Sequence, residues 1–293
     1  MIDLHMHSNY SDGSMSPVEL VREAKELGLT AIALTDHDTM DGVLEFEAAG
    51  KELNITTVLG VEISIDTKLS NNGHMHLLGL FIDPYSRGLK SKLDFLLDER
   101  NKRAGRILDA LRQLGVDISL EELQEEAGEG SIGRPHVAKI LVRNGIVPTI
   151  QEAFDVYLAK GQPAYVDKVK FDEAEAIALV KAASGLAILA HPHFMGYDEF
   201  SETERKIINL KELGLDGFEA HYSGMPAEFS QKLLRLAEEH NFAISGGTDY
   251  HGENKPLIKM GTGKDDLQID ESVLTRLQLR KDQHLQLEDK NNQ

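Results

Sequence analysis

The chain of 293 residues lacks cysteine and tryptophan. Without thiols it can form no disulfide, no thiolate metal site and no cysteine nucleophile, and their absence agrees with a reducing cytoplasm. No apolar run reaches the roughly eighteen residues of a membrane-spanning helix. The first residues, Met-Ile-Asp-Leu-His, also lack the basic and apolar stretches of a secretory signal peptide. We therefore expect a cytoplasmic protein without membrane association.

Basic residues are in the minority, with 31 against 49 acidic residues and a net charge of −18. Such a surface repels long polyanions, so duplex DNA is not an expected partner. A small phosphorylated molecule stays compatible with the composition, because bound cations can reverse the sign of the local field.

Strand and helix patterns alternate at both ends of the chain and bracket a segment of a different kind. The predicted strands are 2–7, 29–35, 55–65, 74–82, 186–190, 217–220 and 242–245. Residues 89–158 contain only segments of helical period, and the polar residues from Asp282 onwards are expected to fray. This alternation predicts an α/β fold with a parallel sheet, either open or closed into a barrel.

Helix starts are marked by short polar signals. Ser16 and Glu19 flank a proline and form a capping box, which predicts a helix that ends before Gly28. A second helix is expected to start at Asp38 or Thr39, with Asp38 favoured as its cap rather than as a metal ligand. The sequence contains no internal repeat.

Histidines and carboxylates follow the apolar strands. They form three H-x-H pairs and one D-x-H pair. Ordinary solvent-exposed residues would not be expected to recur in this pattern at the ends of apolar strands. Residues two apart on a strand share one face. The members of this set are His5, His7, Asp12, Asp36, His37, Glu62, His74, His76, His191, His193, Asp249 and His251. Their convergence predicts an open site for several divalent cations, since imidazole and carboxylate are common ligands of such ions.

The chemistry of this set favours phosphoester hydrolysis. Two ions about 3.5–4 Å apart clamp the attacking and leaving oxygens of a phosphoryl transfer. No serine nucleophile in a G-x-S-x-G turn is present. We expect two or three ions, with Mn²⁺ first because the ligands are oxygen and imidazole without sulfur, and with Zn²⁺ or Fe²⁺ as alternatives.

Six motifs in order resemble the PHP family, the polymerase and histidinol phosphatase domain. They are HMHSNYSDGSMSP, LTDHDTMDG, GVEIS, HMHLLGLFID, LAHPH and GTDYH. The resemblance implies a distorted seven-stranded β/α barrel with a trinuclear metal site, formed by residues 1–88 and 159–293. By position, the first ion would be held by His5, His7 and Asp249, the second by Glu62 as a bridge with His76 and His191, and the third by Asp12, His37 and His251. His74 is not at a motif position. His193 would contact substrate or assist the leaving oxygen, and Asp36 would orient a ligand histidine.

The helical segment 89–158 and the string GRPHVAKILVRNG most resemble the small-phosphoesterase branch of that family. The resemblance implies that this insertion covers the barrel mouth and that Arg134, His136 and Lys160 face substrate phosphate. It implies hydrolysis of small nucleotides, such as nucleoside 3′,5′-bisphosphates or AMP, or trimming of short 5′-phosphorylated RNA, by a hydroxide shared between metals. The alternatives are a histidinol-phosphate phosphatase, a metal-dependent amidohydrolase, or a domain whose metals are structural.

Overall fold

The computed structural model describes residues 1–66, 69, 73–128, 132–264 and 267–291. Contacts divide the chain into a barrel unit, residues 1–93 with 170–293, and a helical unit, residues 94–169. None of the helices in the described ranges combines the length and the apolar character needed to cross a lipid bilayer.

The barrel unit contains a sheet of seven strands that pair in chain order. They are β1 Ile2–Asp3, β2 Ala31–Leu34, β3 Thr56–Ile65, β4 Met75–Leu80, β5 Leu186–Leu189, β6 Gly217–Tyr222 and β7 Ala243–Gly247. The sheet nearly closes, because Leu4 N donates to Gly246 O at 3.2 Å and His7 N donates to Tyr250 O at 2.9 Å. The observed fold is therefore the barrel, and not the open sheet that the alternation of strands and helices also allowed.

The helices follow the strands on the outside of the sheet or build the helical unit. They are α1 Pro17–Glu26, α2 Val43–Leu53, α3 Arg87–Gln113, α4 Leu120–Ala127, α5 Arg134–Arg143, α6 Ile150–Ala153 with a π-helical turn Phe154–Leu158, α7 Glu173–Ala182, α8 Phe200–Glu212, α9 Ala227–His240 and α10 Glu271–Asn291. The predicted capping box begins α1: Glu19 N donates to Ser16 Oγ, and Ser16 N donates to the Glu19 carboxylate.

The prediction of an all-parallel sheet is wrong at β4, which runs antiparallel to both β3 and β5. The cause is local, because only nine residues connect β3 to β4. A parallel neighbour needs a crossover of a dozen or more residues, and the short connection from Asp66 to His74 can only turn the chain back.

Two further predictions at helix ends are wrong. Helix α2 begins after Gly42, and Asp38 instead accepts hydrogen bonds from Ser64 N at 2.9 Å and Ser64 Oγ at 3.1 Å. The residues after Asp282 continue α10 rather than fray. The first turns of α10 are anchored because Leu277 is fully buried against the barrel core, and the polar residues extend that anchored helix.

The helical unit has a hydrophobic core of its own, built from residues between 104 and 164. Its fully buried members include Leu111, Leu123, Ile140, Leu141 and Leu158. No strand occurs among the described residues of this unit. The expectation that the segment covers the barrel mouth stays a prediction.

The seam between β7 and β1 depends on Gly247. A Cβ at this position would lie 2.3 Å from His5 Cβ and 2.5 Å from His5 N. We predict that Gly247→Ala lowers the free energy of unfolding by about 1–3 kcal/mol, because the strands must separate to admit the methyl group. Urea unfolding in chelator measures the change.

Gly105→Ala is the matched control, since no atom lies within 4 Å of the added Cβ in α3. It should leave the stability unchanged or raise it by up to about 1 kcal/mol. Equal stability of Gly247→Ala and the wild type would contradict the tight seam.

Candidate metal centre

The barrel brings polar side chains from most of its strands to one end. His5 and His7 follow β1, His37 follows β2, and Glu62 lies within β3. Two sharp turns aim further groups inward, since His191 and Asp249 adopt positive φ angles of 28° and 59°. Such angles are uncommon outside glycine and concentrate at functional sites.

Glu62 is fully buried at the centre of the group, and its two oxygens face different histidines. Oε2 lies 3.3 Å from His5 Nε2, 3.3 Å from His7 Nε2 and 3.0 Å from His37 Nδ1. Oε1 lies 2.8 Å from His76 Nδ1 and 2.9 Å from His191 Nε2. One carboxylate therefore joins two clusters of imidazoles, which is the arrangement of a ligand shared by two ions.

Two aspartates flank this centre. Asp249 Oδ1 lies 3.1 Å from His7 Nε2 and 3.5 Å from His5 Nε2. Asp12 Oδ1 lies 3.1 Å from His251 Nε2, and Asp12 Oδ2 lies 3.8 Å from His37 Nε2. The predicted metal residues therefore converge in space, in overlapping groups whose ligand atoms lie within 4.8 Å of one another.

Buried ring nitrogens and one buried carboxylate oxygen without hydrogen-bond partners test whether cations fit this place. Within the described residues such atoms include His5 Nε2, both ring nitrogens of His7, His37 Nδ1, Glu62 Oε2, His191 Nδ1 and His251 Nε2. Buried polar atoms nearly always have partners, so a concentration of exceptions calls for an explanation. Divalent cations supply it, since they satisfy these donor atoms together.

The charges of the group are strongly coupled. Burial alone would raise the pKa of Glu62, but the surrounding histidines hold it well below its usual range. Burial disfavours protonated His7, yet Asp249 and Glu62 outweigh it and raise its pKa to about 9. Burial lowers the pKa of His37 to about 3. The ion-free centre therefore holds protons that cations must displace.

Sequence reasoning missed three residues that fix the predicted ligands. Glu219 is fully buried on β6, where its Oε1 lies 3.1 Å from His5 Nδ1 and its Oε2 accepts from His191 N at 2.7 Å. Tyr222 Oη and Lys255 Nζ each donate to Asp249 Oδ2 at 2.8 Å. A glutamate within the apolar strand GFEAHY was the available signal for Glu219, but Tyr222 and Lys255 had none.

The position of Asp36 differs from the expectation that it orients a ligand histidine. Its carboxylate accepts from Ser8 N at 2.8 Å, Ser8 Oγ at 2.6 Å and Ser11 Oγ at 2.5 Å. Asp36 therefore fixes the loop that carries Asp12, and it acts on the centre through that loop.

The two remaining histidines near the centre lie beside an aromatic side chain. The His193 ring packs 4.0 Å from the Phe194 ring and 5.0 Å from the Tyr222 ring, and burial beside His191 lowers its pKa to about 4. The His74 ring stacks on the Phe194 ring, and the centroids of the two rings lie 5.2 Å apart. His193 is therefore neutral at pH 7.

The predicted substrate residues belong to the helical unit. Arg134 donates to Leu158 O at 2.9 Å and lies over the Tyr165 ring, and Gly133 N donates to His136 Nδ1 at 3.1 Å. Lys160 is exposed. Their roles towards substrate stay predictions.

A cavity of about 490 Å³ opens beside the centre within the barrel unit. Its lining residues include His37, Glu62, His76, His191 and Asp249, and also Phe194, Pro256, Leu257, Ile258 and Lys264. The cavity therefore combines charged and apolar side chains, which is the composition of a site for a small organic ligand.

Comparisons with known proteins find relatives that cover most of the chain. The profile of the PHP domain covers residues 3–249. The chain belongs to the PHP domain family. A 5′-3′ exoribonuclease of Haemophilus influenzae is 38% identical over 250 residues, which cover 85% of this chain and 89% of the relative. A 3′,5′-nucleoside bisphosphate phosphatase of Chromobacterium violaceum is 30% identical over 267 residues, which cover 90% and 92%.

A solved structure has the same fold as this PHP protein. The crystal structure of a candidate metal-dependent phosphoesterase from Bifidobacterium adolescentis superposes with a TM-score of 0.79 and 29% identity, over 95% of this chain and 96% of that one. The predicted family, barrel and enzyme class are confirmed. The chain is a metal-dependent phosphoesterase that uses divalent cations.

The coupled charges predict a pH dependence of cation binding. His7 is protonated below its pKa of about 9 in the ion-free protein, and a cation needs the neutral ring. Binding therefore releases protons, and affinity should fall as the pH drops from 9 to 6, by about tenfold per pH unit for each proton displaced. Titration calorimetry in buffers of different ionisation enthalpy counts the protons. Affinity that is constant over this range would contradict the coupling.

Proposed function

We propose that this PHP protein hydrolyses phosphate monoesters of small nucleotides, either nucleoside 3′,5′-bisphosphates or AMP-like compounds, or trims short 5′-phosphorylated RNA. The observation that carries the proposal is the two-sided carboxylate of Glu62, which faces His5, His7 and His37 with one oxygen and His76 and His191 with the other. Two adjacent cations are the arrangement that phosphoryl transfer needs.

The contacts support an assignment of nine residues to two or three ions. His5, His7 and Asp249 would hold the first, and Asp12, His37 and His251 would hold the third. Glu62 would bridge from the first to the second, which His76 and His191 complete. Mn²⁺ is the first choice, because carboxylate and imidazole supply all the donors, and Zn²⁺ and Fe²⁺ are the alternatives.

Bound cations would neutralise phosphoryl charge and lower the pKa of a bound water molecule to about 7. The chain's own residues set the geometry of this chemistry. Tyr222 and Lys255 fix one oxygen of Asp249, so that its other oxygen faces the histidines. Neutral His193 would assist a leaving oxygen through a hydrogen bond rather than through full proton transfer, because its pKa is about 4.

The cavity supports a nucleotide rather than a bare phosphate. Phe194 and Leu257 line it and are 39% and 77% exposed, so they would offer apolar area to a base or ribose. The positively charged side chain of Lys264 also lines the cavity. The predicted phosphate contacts of Arg134, His136 and Lys160 would add to these from the helical unit. The names of the two relatives point to the same substrate classes.

The test is a phosphate-release screen with added Mn²⁺ against a nucleoside bisphosphate, AMP, 5′-phosphorylated RNAs of increasing length and histidinol phosphate. We predict turnover of one nucleotide class, and a loss of at least about 10³-fold in kcat for Glu62→Gln, because the amide cannot join two cations. His240→Ala, at the end of α9, should keep wild-type activity.

Circular dichroism checks that Glu62→Gln stays folded. Wild-type turnover by that variant would contradict the shared carboxylate. Turnover of histidinol phosphate alone, or release of ammonia from an amide substrate without phosphate release, would replace the proposed substrate class.

A further inference from the structure

His74 is the histidine of this cavity that the predicted ligand groups leave out. Its ring is exposed on the cavity wall, and one of its nitrogens lies within 4.8 Å of nitrogens of His76 and His191. In the part of the chain that the structure describes, its ring nitrogens make no hydrogen bond. His76 and His191 are the two histidines that face Glu62 Oε1.

The three rings form a nearly equilateral triangle. Their centroids are 5.2 Å apart for His74 and His76, 5.4 Å for His74 and His191, and 5.2 Å for His76 and His191. An ion about 2.0–2.1 Å from three imidazole nitrogens in tetrahedral directions places ring centroids about 5.2 Å apart, against about 4.5 Å for rings at right angles. The observed spacing matches the tetrahedral value.

The three ring planes are also inclined to one another rather than stacked, which leaves room for their nitrogens to converge. The planes are inclined by 48°, 57° and 79° in the three pairs, whereas His74 and Phe194 stack at 27°. Phe194 therefore supports the His74 ring on one face, and the other two histidine rings lie at a tilt to it.

The backbone fixes His74 in this place. His74 N donates to Phe194 O at 3.0 Å. A Cβ on Gly73 would lie 2.0 Å from Met195 O, so only glycine lets the chain pass this close to the turn at Pro192–Met195. This turn directly follows His191, and the same contact therefore aligns His74 with a ligand of the second ion.

We propose that His74 is a further ligand of the second cation, so that this position offers three imidazoles and the Glu62 carboxylate. The inference rests on the proposed placement of that ion with Glu62, His76 and His191. Three nitrogens and one oxygen in tetrahedral directions suit Zn²⁺, whereas Mn²⁺ favours sets richer in oxygen. The second position therefore prefers Zn²⁺ more strongly than the other positions do.

The experiment measures zinc binding and not only activity. Wild type, His74→Ala, His74→Cys, His76→Ala and His240→Ala are titrated against a chromophoric zinc chelator, and bound zinc is counted by mass spectrometry. We expect one equivalent to bind at least about tenfold more weakly in His74→Ala, with the other equivalents unchanged. His74→Cys should restore most of the affinity, because a thiolate is a zinc ligand that a merely structural role would not need.

His240→Ala is the control for loss of an imidazole elsewhere and should bind zinc as the wild type does. Unchanged zinc binding in His74→Ala would overturn the inference, and a raised KM together with unchanged binding would assign His74 to substrate instead. If His76→Ala also keeps every equivalent, the proposed ion placement fails as well, so the two failures are distinguishable.

Discussion

The structure depends on one buried negative charge, the carboxylate of Glu62. An ionised carboxylate without water is costly unless partners surround it, and here the partners are five imidazoles that approach from four strands. The histidines hold its pKa well below the usual range. The partly closed barrel is the fold that brings these partners to a single point, because the ends of its strands form a ring.

Further buried carboxylates fix the residues that surround Glu62. Glu219 fixes His5 and the chain at His191, and Asp36 fixes the loop before Asp12 through Ser8 and Ser11. Supporting groups of this kind orient metal ligands and set their basicity. The close strand contact at Gly247 serves the same end, since it brings β7 against β1 and Asp249 near His5 and His7.

Much of this arrangement is readable from the sequence. A period of two places His5 and His7 on one face, short apolar strands with helical segments between them indicate an α/β sheet, and the resemblance of the motifs to the PHP family implies the barrel. The direction of β4 was not readable by alternation alone, since the shortness of the connection from β3 mattered more. Asp38 and Asp36 illustrate another limit. Both follow β2 in the pattern of caps and ligands, but their contacts with Ser64 and Ser8 arise from strands that are distant in sequence.

The most direct test of the shared carboxylate is anomalous diffraction from crystals grown with Mn²⁺, measured above and below the metal absorption edge. The account predicts at least two anomalous peaks separated by about 3.5–4 Å, with one oxygen of Glu62 facing each peak. A single peak away from Glu62, or full hydrolytic activity in crystals without any peak at this carboxylate, would contradict it.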